Sequence, residues 1–293
     1  MLHTIKNEYL TVTAAEKGGE LQSVLGADGI EYLWQGDPAY WGDRAPNIFP
    51  YVARLTKGMY YLDGTLHRMP IHGIAPYSTF SLVGKEERSM ALELTDSEGS
   101  FGQYPRHFAF RILYTLVGNR LDVTYEVENR DKKTMYFGLG GHPGFRVPLA
   151  PGLKFEDYRL RFSAPCRPKR VGFTDDCFLN GMSTPFALAQ DQFLPLRHDL
   201  FDHDAIVLKG MDRQAALETD GDCHSVTVTY PQMDYLGLWH MPRTDAPYLC
   251  IEPWTSLPSF QDQIAVLEEQ KDLLSLEPGC HYSNRWSVAV GRP

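Results

Sequence analysis

Apolar and polar residues alternate along much of this chain. Leu121, Val123, Tyr125 and Val127 are separated by Asp122, Thr124 and Glu126. Phe108, Phe110, Ile112, Tyr114 and Leu116 repeat the pattern around Arg111 and Thr115. Tyr158, Leu160 and Phe162 alternate with Arg159 and Arg161, and Val226, Val228 and Tyr230 with Thr227 and Thr229. Successive side chains on a strand point to opposite faces, so each run predicts a strand with one buried face. Turn signals punctuate the runs at Asp28-Gly29, Asp63-Gly64, Gly118-Asn119 and Asp220-Gly221. Many short strands at this spacing predict an all-β fold of antiparallel sheets, a sandwich or a barrel.

Helical periodicity is scarce. The window 263–274 places Ile264, Leu267 and Leu274 roughly on one face, with Pro278-Gly279 beyond it. It predicts a short surface helix. No composition break, low-complexity linker or fixed repeat interrupts the chain, so residues 1–293 are expected to form one domain. Proline-rich loops lie at 38–50, 143–151 and 242–258, and loops are where sites tend to lie on a rigid scaffold.

Composition narrows the partners. Lys and Arg number 28 against 37 Asp and Glu, a net charge of −9, which argues against nucleic acid or an anionic membrane. No apolar run approaches the length of a membrane span. The five cysteines, Cys166, Cys177, Cys223, Cys250 and Cys280, contain no C-x-x-C pair, so they read as free thiols of a reducing compartment. The segment from Met1 to Glu8 has no apolar signal-peptide core, and a cytoplasmic protein is expected. Sixteen Tyr, 15 Phe and 5 Trp suit both β-structure and a carbohydrate site.

Four segments depart from strand logic. Gly138-Leu-Gly-Gly-His142-Pro143-Gly144 packs four glycines and a proline around one imidazole. Such a backbone is being brought close to something. Histidine, with a reference pKa of about 6.5, exchanges protons near neutrality. Tyr248-Leu-Cys-Ile is an apolar run that ends in Glu252-Pro253-Trp254. A carboxylate at the end of a buried strand is costly unless paired or used, and a partly dry aromatic cleft suits a general base. Pro46 to Gly58 carries Arg54, and Met69-Pro-Ile-His72-Gly73 carries His72. Each has a plainer alternative: a turn cap for His142, a solvated strand end for Glu252, a turn residue for His72 and a surface charge for Arg54. Asp199, Asp202 and Asp204 with His198 and His203 form a polar cluster that lacks a recognised metal-ligand spacing. Nucleotide-binding and serine-hydrolase fingerprints are absent.

Taken together and in this order, the four segments resemble the aldose 1-epimerase (galactose mutarotase) family. The resemblance runs over nearly the whole chain, and its most specific pieces are the run from Arg54 to Gly64, His72-Gly73, Gly141-His142-Pro143 and Cys250-Ile-Glu252-Pro253-Trp254. It implies a large antiparallel β-supersandwich with a sugar cleft, and an isomerase that interconverts the α and β anomers of a hexose. It further implies that His142 is the acid and Glu252 the base. His72, Arg54 and either Asp202 or Asp204 would hold the sugar. No metal or organic cofactor is implied. The chain departs from the family at Gly141 and Gly144, where typical members carry Thr and Tyr, and at Ile74, where they carry Gly.

The chemistry agrees with those residue types. Ring opening needs a proton on the ring oxygen and loss of one from the anomeric hydroxyl, so one acid and one base must face the same acetal. Three other readings remain: a non-catalytic carbohydrate-binding protein, a hexose-6-phosphate epimerase, and a hydrolase pairing Glu252 with Asp202 or Asp204. A buried phosphate wants convergent arginines, and the candidates are Arg44, Arg54, Arg68 and Arg146. The acidic net charge favours an unphosphorylated sugar. A small-molecule sugar is therefore the expected partner, on a monomer or homodimer.

Overall fold

The computed structural model describes residues 1–291. Two antiparallel sheets dominate it. The larger has nine strands in the order Phe193–Pro195, Arg159–Phe162, Gln214–Glu218, Val226–Thr229, His281–Val290, Arg120–Asn129, Phe108–Val117, Ser89–Thr95 and Ser81–Lys85. The second runs Leu179–Pro185, Lys169–Phe173, Ile206–Lys209, Tyr235–Trp239, Tyr248–Trp254, Gly140–Gly141 and Asn47–Ile48, and Gly144–Arg146 pairs alongside Tyr248–Trp254. The N-terminal strands Leu2–Lys6, Leu10–Ala15 and Leu21–Gly26 form a separate three-stranded sheet. The β-sandwich expected from the alternation is what forms.

One main core lies between the two large sheets. Leu121, Val123, Tyr125 and Val127 enter it from the first sheet, and Leu208, Leu236, Leu238, Leu249 and Ile251 from the second. Polar pins fix the spacing: the Tyr125 hydroxyl donates to Asn47 Oδ1 at 2.8 Å across the layers. The alternation then decides where the site can be. In the second sheet, the residues between the core-facing ones point away from it. Val207, Tyr235 and Trp254 pack together on that outer face, and Trp239, Tyr248 and Cys250 do so beside them. Glu252 stands between Cys250 and Trp254 in this register, so the period of two carries it to the outer face as well.

Predicted turns take the backbone their residues allow. Asp63 and Gly64 both have positive φ, 51° and 71°, and join Met59–Leu62 to Thr65–Arg68 as a two-residue hairpin.

The helix expected over 263–274 does not form. Ala265–Val266 pairs in parallel with Met59–Leu62, one 3₁₀ turn spans Leu267–Glu269, and Leu274–Leu276 pairs with Met135–Phe137. Tertiary contacts outweigh the weak periodicity. Leu267 is buried in the main core. Gln270 Oε1 accepts from the Tyr51 hydroxyl at 2.8 Å, and an Asp272 carboxylate oxygen accepts from the Leu257 N–H at 2.7 Å. A regular helix would withdraw these side chains from their partners. The cysteines are all free, as expected. No helix is long and apolar enough to cross a membrane among the described residues.

Candidate active site

The glycine-rich stretch is where two strands and a core side chain converge. Gly140 pairs with Trp254 on one side and with Ile48 on the other. A Cβ on Gly141 would stand 2.6 Å from the Trp286 ring, too close for any side chain. The backbone therefore lies flat against Trp286 and delivers His142 at the strand end. The His142 N–H donates to the Pro46 carbonyl at 3.0 Å. One residue on, the Pro143 carbonyl accepts from the Ile251 N–H at 3.1 Å. That bond fixes the height of His142 against the next residue of the neighbouring strand, Glu252.

As a result His142 Nε2 lies 3.2 Å from Glu252 Oε2. Both groups are buried, Glu252 at 1% exposure and His142 at 9%. The approach is off the line of a hydrogen bond, and Glu252 Oε2 and His142 Nδ1 have no hydrogen-bond partner. Trp41 lies over the imidazole at 5.0 Å between ring centroids, tilted by 32°, and Trp239 meets it edge-on at 5.8 Å.

Burial acts on both partners toward the uncharged form. It pushes the Glu252 carboxyl well above its usual range, helped by the charge of Asp204 and opposed in part by the Trp254 indole. It pushes His142 well below the ordinary imidazole value, with His72 adding to the effect. Both shifts favour the one-proton arrangement of the pair with the proton on Glu252. Reference values of about 6.5 and 4.3 would place that proton on His142 instead. The two arrangements have equal charge and equal proton count, so the pair can pass from one to the other without exchange with solvent.

The pair forms the floor of a cavity of about 440 Å³, also lined by Arg54, His72, Asp204, Cys177 and Trp254. His72 has a left-handed backbone, φ 62°, and its ring meets that of His142 edge-on at 5.2 Å. Such a conformation costs about 1–3 kcal/mol in a non-glycine residue and persists only where its surroundings impose it. His72 Nδ1 accepts from the Ala53 N–H at 3.3 Å, which leaves the ring proton on Nε2. Burial and the Arg54 charge lower its pKa to about 4, so it is a neutral donor. Arg54 follows the buried turn at Tyr51 and Val52 and is itself exposed at the rim.

Of the two candidate aspartates, Asp204 lines this cavity and Asp202 does not. Asp204 has φ 70°. Its Oδ1 accepts from the Ala205 N–H at 2.8 Å, and its Oδ2 accepts from the Cys177 thiol at 2.9 Å. Burial and that carboxylate push the Cys177 thiol up to about 12, so it stays protonated and donating. Asp202 lines an adjoining cavity of about 910 Å³ together with Arg170, Asp175 and Arg243. Of the arginines weighed for phosphate, Arg54 alone lines the 440 Å³ cavity; Arg44, Arg68 and Arg146 line neither cavity. The polar cluster at 198–204 also disperses. His198 Nδ1 lies 3.1 Å from His240 Nε2, and Asp199 Oδ1 accepts from Arg197 Nε at 2.9 Å.

The residues not singled out in the sequence are the walls. Trp41 and Asp43 come from a proline-rich loop, Trp239 from a strand end, and Cys177 from a turn with φ 64°. The signal for Trp239 was present, since it falls on the same side of its strand as Tyr235, opposite Leu236 and Leu238.

The arrangement is a cavity with aromatic walls, convergent donors and acceptors, and a buried histidine–glutamate pair. The family model of aldose 1-epimerases matches residues 1–288. The chain is 33% identical over 287 residues to the plasmid and chromosomal LacX proteins of Lactococcus lactis subsp. lactis, covering 94% of this chain and 94% of each relative. A galactose mutarotase related enzyme from Lactobacillus acidophilus superposes with a TM-score of 0.93 at 31% identity, covering 100% of this chain and 98% of the other. A galactose mutarotase-like protein from Lactobacillus casei gives 0.92 at 29% identity over 99% and 100% of the two chains. The protein belongs to the aldose 1-epimerase family, and it is an isomerase of the carbohydrate-epimerase type.

Proposed function

We propose that the protein interconverts the α and β anomers of a free, unphosphorylated hexose, with His142 and Glu252 as its acid–base pair. The observation that carries this reading is the 3.2 Å approach of the two side chains on the floor of an aromatic-walled cavity. In the first half-reaction Glu252 takes the proton of the anomeric hydroxyl. The O–H electrons form the carbonyl, the bond from C1 to the ring oxygen breaks, and His142 protonates that oxygen. Rotation about C1–C2 presents the other face of the aldehyde. The reverse transfers then close the ring, and the pair returns to its starting proton count. Binding of the polar sugar supplies the surroundings in which the His142-protonated arrangement is reached from the neutral one.

Around the acetal, His72 Nε2–H and Arg54 donate to sugar hydroxyls, and Asp204, oriented by Cys177, accepts from one. Asp202 is left out of this role because it does not line the 440 Å³ cavity. Trp41, Trp239 and Trp254 cover the apolar faces of the ring and exclude water. No cofactor takes part in these proton transfers.

The adjoining cavity favours one second reading. Arg170 and Arg243 line it, and Arg170 is half-buried, a lining that suits a 6-phosphate on the sugar. Asp175, Asp202 and Asp204 line the same space and oppose a dianion. Proton NMR of pure α-glucose, α-galactose and glucose 6-phosphate, with and without protein, tests the proposal. Acceleration of a neutral hexose supports it. A preference of tenfold or more in kcat/KM for the phosphate, about 1.4 kcal/mol of transition-state binding, would transfer the assignment to the phosphorylated sugar.

A further inference from the structure

One side chain beside the acid–base pair has no part in the proposed reaction. Cys250 lies two residues before Glu252 on the same face of the strand and is completely buried. Its ladder partners are Trp239 on one side and Gly144 on the other, and a side chain at 144 would crowd Trp41 at 3.0 Å and the Cys250 sulfur at 3.4 Å. Glycine at 144 lets Trp34, Trp41 and the thiol close in on one another. One ring nitrogen of His142, the Cys250 sulfur and a Glu252 oxygen all lie within 4.8 Å of one another. Of these groups, Glu252 Oε2 has no hydrogen-bond partner.

We propose that His142, Cys250 and Glu252 form a three-ligand site for a thiophilic divalent cation of the zinc type, and that its occupation blocks epimerisation. Nitrogen, thiolate and carboxylate together are a zinc donor set. Bonds of about 2.0–2.3 Å in a tetrahedral arrangement put ligand atoms roughly 3.3–3.8 Å apart, so the three need to draw together by at most about 1–1.5 Å. His142 and Glu252 line the cavity, so an ion reaches the site from there. Binding breaks the Cys250 S–H bond and removes the proton on Glu252. Both protons leave to solvent while the metal–sulfur and metal–oxygen bonds form. With His142 and Glu252 held by the ion, neither can exchange protons with a sugar. A hard ion such as Mg²⁺ would gain little from the sulfur, so the block is selective for Zn²⁺, Co²⁺ and Cd²⁺. A second trio, Asp222, Cys223 and His224, is less suited. His224 Nδ1 already lies 2.6 Å from an Asp222 oxygen, and Cys223 is exposed.

The inhibitory part rests on the epimerase reading, but the site itself does not, so binding is read without turnover. Reduced, metal-free protein is titrated with Co²⁺, and the near-ultraviolet thiolate-to-cobalt absorption is recorded and then displaced by Zn²⁺. The wild type and Cys223→Ser should show a one-to-one band. Cys250→Ser and Cys250→Ala should lose it and bind at least tenfold more weakly. A parallel assay should show Zn²⁺, and not Mg²⁺, slowing anomer exchange by the wild type and slowing the Cys250 variants at least tenfold less. Absence of a thiolate band in the wild type overturns the site, whether or not the Cys250 variants fold. Loss of the band in Cys223→Ser also overturns it. A band without any epimerase activity leaves the site standing and overturns only its inhibitory role.

Discussion

His142 and Glu252 stand 3.2 Å apart because the carbonyl of Pro143 is hydrogen-bonded to the N–H of Ile251. One backbone bond, placed one residue after the histidine and one before the glutamate, sets the geometry of the pair. The shared burial of the two groups then sets its charge state. A pair whose members both resist ionisation leads to several checkable consequences.

The first is a flat pH profile around neutrality. Burial lowers the His142 pKa, so the pair gains its second proton well below pH 6.5. Burial raises that of Glu252, so the pair keeps its remaining proton above the ordinary carboxylate range. The active one-proton form is lost as pH falls through the lowered histidine value and as pH rises through the raised glutamate value. We expect kcat/KM at pH 6.0 to lie within about twofold of that at pH 7.5. A fall with an apparent pKa near 6.5 would mean that an ordinary imidazole controls the rate.

The glycine at 141 tests how the site is held. Its Cβ would meet Trp286 at 2.6 Å, and Trp286 belongs to the main core. Gly141→Ala should therefore destabilise by about 1–3 kcal/mol, the usual cost of overpacking. Thermal unfolding should shift down by several degrees, with a loss of activity because His142 is the next residue. An unchanged Tm would show that the close approach is slack.

Much of this was legible in the sequence, and the exceptions have physical causes. Alternation placed the core strands, and Asp63-Gly64 announced a hairpin whose two positive φ angles only such residues accept easily. The four segments that break strand logic do meet at one cavity, through His142, Glu252, His72 and Arg54. Asp204 could not be told from Asp202, because the choice is made by a backbone turn at φ 70° and a thiol from Cys177, far off in sequence. Trp41 comes from a loop with no periodicity, and its position over His142 exists only once the sheets have paired. The window 263–274 misled because Leu267, Gln270 and Asp272 have specific partners elsewhere in the fold.

Asp204 and Cys177 should act on binding. Asp204→Asn keeps the size of the side chain and removes its charge, so KM for the preferred hexose should rise about tenfold or more with a smaller change in kcat. Cys177→Ala removes the donor that orients Asp204 and should shift KM in the same direction by less. An Asp204→Asn variant with unchanged KM would remove this residue from the sugar site.

Chelation separates catalysis from metal binding. The proposed transfers move only protons, so exhaustive treatment with EDTA should leave kcat within about twofold, or raise it where traces of zinc were bound. A loss that added zinc or calcium restores would show that an ion belongs to the reaction.

The most direct test of the account is anomeric exchange itself, followed by proton NMR on a pure α-hexose with wild type, Glu252→Gln and His142→Asn. The wild type should bring the α and β signals to equilibrium far faster than buffer alone. Each variant, shown to be folded by its thermal transition, should lose about 10²–10⁴-fold of that rate. Near-wild-type exchange by either folded variant would contradict the account.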